Sequence, residues 1–88
     1  MLSESISLRV YPNPTSRGSY IDVELPEVKT SEVKLEIVDI VGEVLLEKEV
    51  ETYETRHRVH LPIEMQSGVY NLVVHYDGMT FHQKFTVE

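Results

Sequence analysis

The sequence predicts an all-β fold, an immunoglobulin-like antiparallel β-sandwich of about seven strands. Three observations predict it. The chain carries 13 Val, 5 Ile and no Ala, and Val and Ile suit a pleated, half-buried surface whereas Ala is the best helix former. Apolar residues recur at every second position in several short runs, the period of a strand with one wet face. Turn chemistry separates these runs every 8 to 14 residues, the spacing expected of a sandwich.

The 88 residues suit one domain, 1–88, with residues 1–5 as linker. A domain of this size buries only about 60–65% of its unfolded surface, which leaves no room for a deep substrate cavity beside the core.

The first run is Ile6–Val10, with Ile6, Leu8 and Val10 alternating. It gives way at Tyr11-Pro12-Asn13-Pro14, where two prolines remove ladder donors and hold the preceding residues extended. The second run, Tyr20–Leu25, places Ile21, Val23 and Leu25 on one face and Tyr20, Asp22 and Glu24 on the other, and Pro26 ends it. In the third, Val33–Val38, Val33, Leu35 and Ile37 face inward. The fourth, Glu43–Val50, alternates less cleanly.

The stretch from Val33 to Leu45 also fits a helical stripe. A hairpin is the better reading, because the stretch is Val-rich and Gly42 interrupts the helix. Asp39 and Gly42 suit the first and fourth positions of a type I turn.

Thr55–Leu61 is the fifth run. Pro62 and Ile63–Ser67 form a connection, read as one helical turn, and Gly68 opens the sixth run, Val69–Tyr76. Asp77-Gly78 is the strongest short hairpin signal in the chain, and Met79–Val87 is the seventh run. With a two-residue turn, Tyr76 faces Met79, Val74 faces Phe81, Leu72 faces Gln83 and Tyr70 faces Phe85. Seven of these eight side chains are apolar or aromatic, and the opposite face carries Asn71, His75, Thr80, His82, Lys84 and Thr86. Both strands therefore agree on the side to bury.

The formal net charge is −7. Such a surface repels phosphate backbones and anionic lipid, so nucleic acid is not an expected partner. Without cysteine there is no disulfide, thiolate catalysis or Cys-ligated metal. No apolar run approaches the roughly 20 residues that span a membrane. Met1–Ser5 lacks the basic and apolar segments of a secretory signal.

Catalytic and ligand-binding patterns are also missing. His75 and His82 lie diagonally on the polar face of the last hairpin, but no carboxylate is placed to complete a metal site, so surface histidines are the default. Ser67 lacks a nucleophile elbow. Glu47, Glu49 and Glu51 resemble a charged strand edge rather than a calcium loop. No cofactor is expected, and no acid, base and nucleophile converge, so an enzyme is not expected. Tyr11 and Tyr20 are the aromatic residues left for a sugar platform, in a chain without Trp.

Four segments, in order, resemble the C-terminal sorting domain of the type IX (Por) secretion system of Bacteroidota. Val10-Tyr11-Pro12-Asn13-Pro14 matches its opening segment, followed by the turn Thr15–Gly18. Val33–Gly42 resembles its hairpin with Asp39 and Gly42. Leu61-Pro62 with Ser67-Gly68-Val69-Tyr70 resembles its next segment, and Gly78 with Lys84-Phe85-Thr86-Val87 its closing strand. The match spans about Leu8 to Glu88.

The resemblance implies an address label at the end of a larger exported protein, preceded by a cargo domain. Outer-membrane export machinery reads the label, and a sortase-like peptidase usually removes it as the cargo reaches the cell surface or the medium, often anchored on lipopolysaccharide. On this reading Lys84 and exposed neighbours on the last strand form part of the read surface. Gly68, Tyr70 and Phe85 preserve the hairpin and core, and Pro12, Asn13 and Pro14 set the first turn. The alternatives are a structural spacer or adhesion module of the same fold, and a carbohydrate-binding module.

Overall fold

The computed structural model describes residues 8–25, 32–50, 55–76 and 78–88. Seven strands appear in chain order: β1 (Arg9–Tyr11), β2 (Tyr20–Glu24), β3 (Val33–Val38), β4 (Val44–Val50), β5 (Arg56–His60), β6 (Gly68–Tyr76) and β7 (Met79–Val87). They form a three-stranded sheet in the order β1-β2-β5 and a four-stranded sheet in the order β4-β3-β6-β7, with every strand pair antiparallel. This is the immunoglobulin-like division of strands, with β4 carried on the second sheet.

One core lies between the sheets. Ile21, Val23, Leu25, Val59 and Leu61 come from the β2–β5 side, and Leu35, Ile37, Leu72, Val74 and Phe85 from the other. Period-two alternation creates this core directly. In β3 the residues Val33, Leu35 and Ile37 are buried while Lys34, Glu36 and Val38 are half-exposed.

The last hairpin has the register read from its turn. Tyr76 pairs with Met79, Val74 with Phe81, Leu72 with Gln83 and Tyr70 with Phe85. Asp77 itself lies outside the described residues, as do Ile6, Pro26, Glu51 and the expected linker 1–5. Met79 departs from the expected burial. It is 41% exposed at the turn end of the hairpin, although its partner Tyr76 is buried. Val73 departs in the other direction and is buried on the outer face, between its cross-strand neighbours Glu36 and His82.

The β3–β4 connection is a hairpin and not a helix. Gly42 N–H donates to the Asp39 carbonyl at 3.1 Å, and Asp39 N–H donates to the Glu43 carbonyl at 3.0 Å. The Asp39 carboxylate accepts the N–H groups of Val41 and Glu43 at 3.0 and 2.9 Å. Gly42 sits at φ 91°, where an L side chain is strained. The register then jumps, with Ile37 opposite Leu46 and Val38 opposite Val44, so Leu45 is the extra residue of a β-bulge.

Some boundaries differ from expectation. The first strand is Arg9–Tyr11, extended past Val10 because Tyr11 still pairs with Asp22. Residues Ile63–Ser67 form no helical turn. Met65 N–H donates to the Pro62 carbonyl at 3.2 Å, which closes a single β-turn.

Candidate functional site

The first turn docks on the last strand. Tyr11-Pro12 and Asn13-Pro14 are both cis, and Pro12, Asn13 and Pro14 are exposed. The Asn13 side-chain oxygen accepts the N–H of Thr86 at 2.9 Å. Thr15 N–H donates to the Thr86 carbonyl at 2.9 Å, and Glu88 N–H donates to the Thr15 carbonyl at 2.8 Å. Thr15 is thereby paired in parallel with Val87, and its buried hydroxyl donates to the Tyr20 carbonyl at 2.8 Å. The turn thus caps the C-terminal third of an edge strand that would otherwise expose its backbone.

Below that cap no described strand pairs with the outer edge of β7. Residues whose backbone points away from β6 alternate with those that bond to it. Thr86 points outward, so Lys84, His82 and Thr80 do as well. All three side chains are exposed, and Lys84 has no ion-pair partner among the described residues. Phe85 and Val87, on the other face of the same strand, are each 1% exposed. One short strand therefore combines a core anchor with a readable edge.

The other motif residues fall into two places. Tyr70 is buried against Phe85, with ring centroids 6.0 Å apart, and its hydroxyl donates to the backbone carbonyl of Gln66. That is the tyrosine-corner contact of immunoglobulin-like sandwiches. Gly68 begins β6 opposite Val87. Asp39 and the β3–β4 turn project at this same end, beside Gly68 and Tyr70. Gly78, at φ 74°, lies in the turn at the opposite end of the last hairpin. Pro12 to Pro14, Asp39, Gly42, Gly68, Tyr70 and Lys84 to Val87 thus gather at or near one end, and Gly78 stands apart.

Sequence reasoning missed the polar couplings on the outer faces. Asp22 accepts two hydrogen bonds from Arg58, at 2.8 and 3.1 Å, and this guanidinium holds its carboxyl below the usual range. The same guanidinium lies 3.7 Å from the centre of the Tyr20 ring, so that ring's face is covered and offers no open platform to a sugar. Tyr11 donates to Glu24 at 3.3 Å. His75 Nε2 donates to Glu36 at 2.7 Å and lowers the Glu36 pKa, with desolvation opposing and Lys34 adding to the effect. The cross-strand signal was present in the alternation: Asp22 and Arg58, like Glu36 and His75, are outward residues on neighbouring strands. Among the described residues no group of three His, Asp or Glu is arranged to hold a metal.

A family model described as the secretion system C-terminal sorting domain matches residues 9–88. The chain belongs to this family. Among curated proteins none matches the sequence. Sorting domains of the type IX system direct an attached cargo for export to the cell surface or beyond, and the family is non-catalytic. The domain therefore engages secretion machinery on behalf of its cargo and performs no reaction.

Proposed function

We propose that the export machinery reads this sorting domain along the open edge of β7, with Lys84 as a contact residue. We further propose that a sortase-like peptidase then removes the domain and that the cargo is attached to surface lipopolysaccharide. The observation that carries the reading is the division of labour within β7. Lys84 is exposed and lacks an ion-pair partner among the described residues, while Phe85 beside it is buried in the core. A solvated cation on a strand edge of a domain with net negative charge offers a receptor a charged contact beside backbone groups for pairing. Pro12, Asn13 and Pro14 support the mark by capping the end of that strand, and Gly68, Tyr70 and Val87 by fixing the hairpin beneath it.

The test is an export assay. The domain is fused to a reporter carrying its own signal peptide, in a host with type IX machinery and in the same host lacking the translocon. Reporter should reach the surface or medium only in the intact host. Lys84→Glu should lower that export about tenfold or more while the purified domain keeps its thermal midpoint. Normal export of the folded variant would remove Lys84 from the read surface.

A further inference from the structure

A second surface lies at the tip of the β3–β4 hairpin. Ile40 and Val41 occupy the two central positions of the turn and are 79% and 81% exposed. Turn centres ordinarily carry polar residues, Gly or Pro. Nothing in this turn needs aliphatic side chains there, since Asp39 supplies the side-chain acceptor and Gly42 the positive φ. The tip is not isolated. The bulge at Leu45 turns that side chain toward the 61–67 connection, where it lines two adjoining cavities of about 410 and 210 Å³ with Met65 and Glu64. Leu45 and Val69, which both line the larger cavity, are themselves 44% exposed, so the aliphatic surface continues from the tip along the groove. An apolar patch of this kind on a small domain marks an interaction site.

The charges specify the partner. Asp39 and Glu64 line the groove, Glu43 follows the turn, and among the described residues no Lys, Arg or His lines either cavity. An apolar floor with an acidic rim complements an apolar segment flanked by basic residues. The patch also lies away from the point where the chain enters β1. Arg9 pairs with Glu24, which pairs with Arg56, at the opposite end of the three-stranded sheet from His60 and the connection that follows it.

We propose that the groove behind Ile40 and Val41 docks an apolar, Lys- or Arg-flanked segment of the type IX machinery, a contact separate from the β7 edge. The proposal rests on the sorting function of the family. Its test uses the reporter fusion in the intact host, with the wild-type domain, the pair Ile40→Asp/Val41→Asp, the single change Glu64→Lys, and Glu49→Lys at the far end of β4 as control. Binding of the purified domains to detergent-solubilised translocon is measured in parallel.

The tip pair and Glu64→Lys should each lower export and translocon binding about tenfold, and Glu49→Lys should change neither. The thermal midpoint should stay within about 2 °C, because the altered side chains are exposed. If the tip pair proves unstable, Ile40→Ser/Val41→Ser replaces it with the same expectation. Export and binding within about twofold of wild type for folded tip variants would overturn the proposal and leave the sorting function intact. A wild-type domain that fails to export its reporter would overturn both. A wild-type dimer in sedimentation equilibrium that the tip pair converts to monomer would overturn the proposal by making the groove a contact between copies.

Discussion

The side-chain oxygen of Asn13 accepts the backbone N–H of Thr86 at 2.9 Å and so ties the first turn of the domain to its last strand across 73 residues. Two backbone bonds through Thr15 continue the tie, and Thr15 pairs with Val87. Since Phe85 and Val87 are core residues, the turn motif and the closing-strand motif act as one unit.

Removing that acceptor should loosen the end of β7 without unfolding the domain. Asn13→Ala is expected to cost about 1 kcal/mol, the net worth of one hydrogen bond, and Asn13→Asp to retain most of it. Urea denaturation measures the cost, and hydrogen exchange at the Thr86 amide localises it. Unchanged exchange at Thr86 in Asn13→Ala would mean that the contact holds nothing in place.

Tyr70 fills the core with its ring and closes the corner with its hydroxyl. Tyr70→Phe keeps the ring and orphans the Gln66 carbonyl, so a loss of about 1 kcal/mol is expected. Tyr70→Ala also opens a cavity beside Phe85 and should cost about 3–5 kcal/mol, a large share of the stability of a domain this small. Thermal and urea unfolding of both variants gives the two values. Equal losses would show that the ring contributes little beyond the hydroxyl.

Acid should weaken the pairing of Asp22 with Arg58. The Asp22 pKa is lowered in the folded state, first by the hydrogen bonds from Arg58 and against the effect of desolvation. A depressed carboxyl stabilises the fold fully above its unfolded pKa, near 3.8, and loses that contribution as pH falls through the lower folded value. Asp22→Asn should therefore lower the thermal midpoint at neutral pH by roughly 3–5 °C, a modest effect because Arg58 is half exposed. The gap between variant and wild type should close in strong acid. The Glu36 carboxyl, held down by His75, acts in the same direction in both proteins, so the difference between them isolates Asp22. A gap constant from neutral pH to strong acid would sink this assignment.

Much of the fold was legible along the chain. Alternation at Val33, Leu35 and Ile37 named the buried face of β3, and the two-residue spacing between Tyr76 and Met79 set every pair of the last hairpin. Asp39 and Gly42 marked their turn for the same reason. Side-chain direction in a strand has period two, and a turn needs particular φ values and acceptors at particular positions, so both are written in adjacent residues. The family, too, could be read from ordered motifs.

What neighbours in sequence cannot express was decided by the tertiary structure. The pairing of β2 with β5 and of β3 with β6 brings Arg58 onto Asp22 and His75 onto Glu36. Docking of the Pro12–Pro14 turn on β7, the corner closed by Tyr70, and the exposure of Ile40 and Val41 beside the Leu45 groove also depend on how the two sheets twist and stack. The strand pairings and the docked turn join segments far apart in the chain, and many partners satisfy the same local pattern. Only burial of one shared core selects among them, because it is the largest favourable term and it acts on the whole chain at once.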